Sequence, residues 1–153
     1  MAVEQSNDAA RNGSQEPTVG IVRIYAKDLS FELPSAPAIF RKQGNSEVNV
    51  RVDVTHKNIE GTIYEVVLAL TVEARTSGSK TPDFIAEVEH AGLFDIKGAG
   101  GNNLAAILNV FCPGNIFPYA RQAIDQMLLQ GSLPPLHLGA VNFEAIWRQK
   151  NAN

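Results

Sequence analysis

Three segments in the middle of the chain alternate apolar and polar residues with a period of two, and only short spacers separate them. Val48, Val50, Val52 and Val54 alternate with Asn49, Arg51 and Asp53. TIYEVVLALTVEART (62–76) sets Tyr64, Val66, Leu68, Leu70, Val72 and Ala74 on one side, with Glu65, Thr71, Glu73 and Arg75 among those on the other. Phe84, Ala86 and Val88 share parity with Phe94 and Ile96, against Ile85, Glu87 and Glu89. A period of two is that of a pleated strand whose side chains point alternately to its two faces. The spacers HKNIEG (56–61) and SGSKTP (77–82) are too short for the crossover that parallel strands require, so the segments predict an antiparallel meander.

A fourth extended segment precedes them. Val19 to Leu33 is rich in β-branched and aromatic residues, and Ile24, Ala26, Asp28 and Ser30 alternate with Tyr25, Lys27, Leu29 and Phe31 before Pro34 and Pro37 close it. Beyond the flexible GAGGN (98–102) the period changes. Leu104 to Phe111 reads as a short helix; after Pro113-Gly114, a second is predicted from Phe117, Ala120, Ile124, Met127 and Leu128, with Arg121, Gln122, Asp125, Gln126 and Gln130 turned away. Pro118 suits its first turn, and Gly131 with Pro134 and Pro135 supplies a stop. A last helix is predicted from Asn142, as N-cap, to Lys150, with Phe143, Ile146 and Trp147 on one side. Strands first and helices second predict an α+β fold, a four-stranded antiparallel sheet with helices packed on one face. Residues 1–18 are polar and read as a flexible tail, 19–149 as one domain and 150–153 as a short tail.

Composition excludes several classes of function. With 13 basic and 16 acidic residues the formal charge is −3, and no Lys/Arg block is long enough to track a phosphate backbone, so nucleic acid is not an expected partner. No apolar run approaches the ~20 residues that span a bilayer, and MAVEQSNDAARNGSQEPT lacks a basic and then apolar leader pattern; the expectation is a cytoplasmic protein with no direct membrane insertion. A single cysteine cannot form an intramolecular disulfide.

Candidate chemistry is sparse. Cys112 lies near an expected helix start, where a dipole would favour the thiolate, but no motif links it to His56, His90 or His137, and a small buried hydrophobe is the plainer reading. These residues lack metal-ligand spacing, and Gly98, Gly100 and Gly101 do not form a phosphate-loop pattern. No catalytic residue, metal site or cofactor is expected. Asp28, Glu32, Glu87 and Glu89 read as a wet, acidic sheet face that could dock a basic partner. Ile85, Ala91 and Leu93 put apolar residues on that same face, which predicts cover by another copy of the chain or a ligand.

IYAKDLSFELPSAP (24–37), YEVVLALTVEA (64–74), EVEHAGLF (87–94), FCPGNIFPYARQAI (111–124) and LGAVNFEAI (138–146) together resemble the SecB family of protein-export chaperones, in order and spacing, across Val19 to Trp147. The resemblance implies an ATP-independent holdase, a dimer of dimers, that binds unfolded secretory preproteins in the cytoplasm and passes them to the SecA translocase motor. It implies a client-binding groove at Phe40, Val48, Val50, Val52, Phe84, Tyr119, Phe143 and Trp147. It places SecA docking at Asp28, Glu32, Ile85 and Glu87, and subunit contacts at Val88 and His90 and along the long helix at Ile124, Met127 and Leu128. The end of the chain, RQKNAN, is shorter and less acidic than is common in that family. Two other readings share the pattern: a chaperone of this kind dedicated to one partner such as an antitoxin, and an α+β domain that binds a small ligand in a helix–sheet cleft.

Overall fold

The computed structural model describes residues 16–152, so the tail expected over 1–18 lies outside the described residues except for its last three positions. Thr18 already belongs to the first strand. Four long strands, β1 (Thr18–Glu32), β2 (Ser46–Glu60), β3 (Ile63–Thr76) and β4 (Phe84–Lys97), form one antiparallel sheet in the order β1-β4-β3-β2. The meander β2-β3-β4 is the expected one, but its first turn is tighter. HKNIE continues β2 as far as Glu60, and Gly61, at φ 54°, turns the chain. A left-handed backbone at that point is easy only for glycine, which lets strand pairing persist where the polar letters suggested a loop.

The first strand departs from strict alternation. Ala26 pairs with His90 and Asp28 with Glu89, so Lys27 is an extra residue in a bulge. One inserted residue exchanges the faces of everything beyond it. Ile24 and Ala26 therefore share the helix-covered face with Leu29 and Phe31, whereas Tyr25, Asp28, Ser30 and Glu32 share the open face. The sequence alternation had grouped Ile24 and Ala26 with Asp28 and Ser30.

Residues 101–130 form one helical run where the sequence suggested two helices. It comprises α1 (Gly101–Ala106), a π-helical segment (Ile107–Phe111) and α2 (Cys112–Gln130). Pro113 occupies the first turn of α2, while Pro118, expected there, lies inside the helix. Proline removes a backbone donor and crowds the preceding turn, and the wide π turn ahead of Pro113 accommodates that without a break. The side-chain amides of Asn109 and Asn115 donate to the carbonyls of Ala105 and Phe111 at 2.8 and 2.9 Å. Cys112, Pro113, Ile116, Phe117, Ala120, Ala123, Ile124 and Leu128 are all buried along one side of α2.

Gly131, at the end of the run, is glycine for a reason the sequence did not reveal. Its φ is −87°, open to any residue, but a Cβ there would sit 2.6 Å from the Phe31 ring. Glycine is present because β1 approaches. After an extended connection whose Leu133, Leu136, Leu138 and Val141 pack on the core, α3 (Phe143–Ala152) begins at the expected cap, with the Ala145 N–H donating to Asn142 Oδ1 at 3.0 Å. The helix continues through Ala152, so 150–152 belong to it and do not form a tail.

The core lies between the sheet and α2, which packs on β4 and β3. Strands are spaced ~4.8 Å apart and a helix is about 10 Å across, so one helix covers about two strands. The edge strands β1 and β2 are thereby left largely open.

Candidate functional site

On the helix side of the sheet, the strip of β2 that α2 does not reach is apolar. Val48, Val50 and Val52 stand in register with Ala74, Val72 and Leu70, on the same face as the core. Val72 is wholly buried, whereas Val50 is 40% and Val48 43% exposed, and Val52 packs on the margin. Tyr119 projects from α2 at 50% exposure, and Phe40, on the 3-10 turn Ala38–Arg41, is 53% exposed. On the β1 side, Ile21 and Leu29 are the exposed counterparts. Exposed aliphatic and aromatic groups flanking a helix can capture extended apolar segments of many sequences, because hydrophobic burial is non-directional.

Two of the expected groove residues lie elsewhere. Phe84 is buried against Phe31, ring centroids 6.3 Å apart, and Phe143 is buried edge-on to Phe117 at 6.1 Å. Both complete the protomer's own core, and neither offers a surface. Trp147 is half-buried in an open cleft of about 600 Å³ that it shares with Val19, Ile107, Val110 and Phe111. Val110 and Phe111 are not among the groove residues the sequence suggests, where Pro113-Gly114 reads as a break between two helices; in the continuous run Phe111 stands exposed.

The open face of the sheet is polar and acidic. Asp28 stands opposite Glu89, Ser30 opposite Glu87 and Glu32 opposite Ile85, three neighbouring rungs of the β1–β4 ladder. All four expected docking residues therefore meet on one patch, although they come from strands far apart in sequence. Asp28, Glu87 and Glu89 line a shallow concavity of about 230 Å³ with Ser30 and Thr71. Ile85 is half-buried there, and Ala91 is fully buried by the protomer itself, so it needs no second chain to cover it.

Farther along the same face lies Glu65, on the side of β3 where the alternation places Thr71 and Glu73. Glu65 is 8% exposed and accepts from Tyr25 Oη and from Lys27 Nζ at 3.1 and 3.2 Å, with Lys57 Nζ 3.9 Å away. The Tyr25 hydrogen bond, with the lysine charges, holds the carboxyl below its ordinary value although burial opposes this. Burial, reinforced by Glu65, pushes the Tyr25 phenol up to about 12. Lys27 and Lys57 thus face a buried anion at one end of a surface whose other end is acidic.

The subunit-contact candidates divide similarly. Val88, Ile124 and Leu128 are buried between sheet and α2 within the protomer, Met127 is partly buried, and His90 is half-buried with its ring 6.3 Å from Tyr119. Among the described residues, buried His90 Nδ1 has no hydrogen-bond partner, and desolvation lowers the imidazole's proton affinity. Cys112 follows a helical turn and so does not sit at a free helix start, which removes the dipole argument for a thiolate. Burial pushes its thiol up to about 12. Among the described residues, no three His, Cys, Asp or Glu side chains converge as metal ligands, and no helix is long and apolar enough to cross a membrane.

Both the fold and the sequence have parallels in known proteins. A solved SecB-like chaperone of Mycobacterium tuberculosis, in complex with a peptide from an antitoxin, superposes with TM-score 0.67 over 80% of this chain and 90% of its own, at 17% identity, a likeness of fold. Among curated relatives, the protein-export protein SecB of Pseudomonas syringae is 42% identical over 150 residues, covering 98% of this chain and 91% of its own length. That of Ectopseudomonas mendocina is 44% identical over 150 residues, covering 98% and 92%. The family model described as preprotein translocase subunit SecB matches residues 12–153. With nearly its whole length matched, the chain belongs to the SecB family of protein-export chaperones.

Proposed function

We propose that the protein is an ATP-independent holdase of the cytoplasm that binds non-native secretory precursors, keeps them competent for translocation and delivers them to the SecA motor. The observation that carries this reading is the apolar strip left open on the helix side of β2, where Val48 and Val50 stay exposed on the face that elsewhere forms the core; Phe40 and Tyr119 add exposed aromatic surface. Each square ångström of apolar surface a client covers contributes about 25 cal/mol, whatever the sequence of the segment. Folded proteins have already buried such segments, so the holdase selects for clients that have not yet folded. Phe40, Val48, Val50, Val52 and Tyr119 contact clients directly, Trp147 lines the second apolar cleft, and Phe84 and Phe143 support the framework.

The working assembly is a dimer of dimers. Its formation would cover exposed apolar residues of the long β1 edge, Ile21, Val22 and Leu29, which an isolated sheet edge leaves open to pairing. Met127 and His90 are the interface candidates with surface still to bury. The open face remains free for the motor: a basic segment of SecA would meet Asp28, Glu32 and Glu87 around Ile85, so docking weakens as salt rises.

The test is calorimetric titration with one secretory precursor, once held unfolded and once fully folded, at equal salt. Tight binding of the unfolded form alone, with a large negative heat-capacity change, is the expected result. An assembled protein that ignores the unfolded chain would sink the reading. Repeating the titration with unrelated unfolded precursors tells a general holdase from one dedicated to a single partner.

A further inference from the structure

The connection between β1 and β2 passes from one edge of the sheet to the other, and it is tied on both sides to the turn between β3 and β4. Ser35 Oγ donates to the Pro82 carbonyl at 2.8 Å. On the other side, Ser46, the first residue of β2, donates to Asp83 Oδ2 at 2.5 Å, and Lys42 Nζ lies 3.8 Å from Asp83 Oδ1. Thr76 Oγ1 donates to the same carboxylate at 2.8 and 3.0 Å, and the Asp83 N–H donates to the Ala74 carbonyl at 2.7 Å. Asp83 is 2% exposed. A carboxylate buried so deeply is costly unless its oxygens are satisfied, and here one side chain gathers the end of β3, the start of β2 and the crossover.

Between the two tethers lies the turn that carries Phe40. None of its four residues is buried, so packing does not hold it in place. Its internal order rests on the Ile39 and Phe40 amides, which donate to the Ser35 and Pro37 carbonyls at 2.9 and 3.1 Å. A segment with few buried contacts opens readily unless something outside it fixes its ends.

We propose that Asp83 is a positioning residue for client capture: its buried carboxylate latches the crossover through Ser46 and Lys42 and so holds Phe40 where a client segment meets it. This rests on the holdase reading. A turn populated in the competent position only part of the time binds more weakly by that fraction, so loss of the latch reads as weaker capture without loss of the fold.

The experiment measures capture of one unfolded precursor by the assembled wild type, Asp83→Asn, Phe40→Ala and the double variant, alongside thermal unfolding and hydrogen exchange of the Ile39 and Phe40 amides. Asp83→Asn is expected to weaken capture about fivefold and speed exchange of the two amides. In the Phe40→Ala background it should cost nothing further. Additive losses in the double variant, or unchanged capture by Asp83→Asn, overturn the proposal. Should Asp83→Asn fail to fold, Ser46→Ala removes one tether and must weaken capture in the same Phe40-dependent way; if it does not, the latch is wrong. A wild type that captures nothing unfolded refutes the holdase reading and this inference with it, whereas normal wild-type capture with additive variants refutes the latch alone.

Discussion

Val72 on β3 and Val50 on β2 are the same residue, on the same face of the sheet, on the same rung of one ladder, yet the first is wholly buried and the second is 40% exposed. Nothing in their local sequence separates them, because each belongs to a clean alternation. What differs is distance from α2, whose width suffices for β3 and β4 and not for β2. Alternation therefore marks which face of a strand is apolar, while the number and breadth of the covering elements determine how much of that face stays open. In this fold the covered part provides stability, and the uncovered part is the surface proposed to bind clients.

The widest separation expected between the two is in stability. Val72→Ala should destabilise the protein by roughly 2 kcal/mol in denaturant unfolding, through lost burial and the cavity left behind. Val50→Ala should stay within about 0.5 kcal/mol. The order should reverse in capture of an unfolded precursor, where Val50→Ala weakens binding and Val72→Ala, if folded, does not. Equal stability losses at the two sites would mean that β2 is covered in the working protein.

The other edge strand sharpens the contrast, because β1 is open along most of its length and tucked in where Phe31 meets Gly131. Gly131→Ala would push a methyl to within 2.6 Å of that ring and should cost about 1–2 kcal/mol in thermal or denaturant unfolding. A neutral outcome would show that the ring swings aside freely and that β1 is loosely held even there.

Acid should destabilise the fold through its buried carboxylates, Asp83 and Glu65. For Asp83, burial raises the proton affinity, but the hydrogen bonds from Ser46 and Thr76 and the Lys42 charge outweigh it, so its folded value lies below the ordinary 3.8. Glu65 likewise lies below its ordinary 4.5. A depressed folded value stabilises the protein above the unfolded value, and this contribution is lost as pH falls through the folded one. Stability should therefore decline as pH drops below about 4, with a shallower slope in Glu65→Gln, read by urea unfolding across a pH series. The smallest effect belongs to the surface ion pair between Lys150 and Asp53, at 2.6 Å with both groups exposed. Lys150→Ala should change stability by less than about 0.5 kcal/mol.

Much of this architecture was legible in the chain. The period-two segments around Val50, Val72 and Val88 located three strands and their antiparallel order, and Asn142 marked the start of α3. The bulge at Lys27 was not legible, because an inserted residue shows only against the partner strand, and it exchanged the faces of Ile24 and Ala26. Pro113-Gly114 looked like a helix break because local propensity disfavours continuation, but burial of Cys112, Ile116 and Phe117 against the sheet overrode it through a π turn. Of the site, the acidic patch was partly visible, since Glu87 and Glu89 share a parity. The Glu65 network and the Asp83 latch were hidden, their partners lying up to about forty residues away along the chain.

By itself, the sequence determined the strands, the apolar faces of β2, β3 and β4, the helical C-terminal half and, through its resemblance, the family. These are properties of residue order and local geometry, which period and spacing record. Tertiary structure alone decided which apolar residues are core and which are surface, why Gly131 must be glycine, and which carboxylates are buried. Those outcomes depend on which surfaces meet across long sequence separations and on how far one helix reaches across four strands.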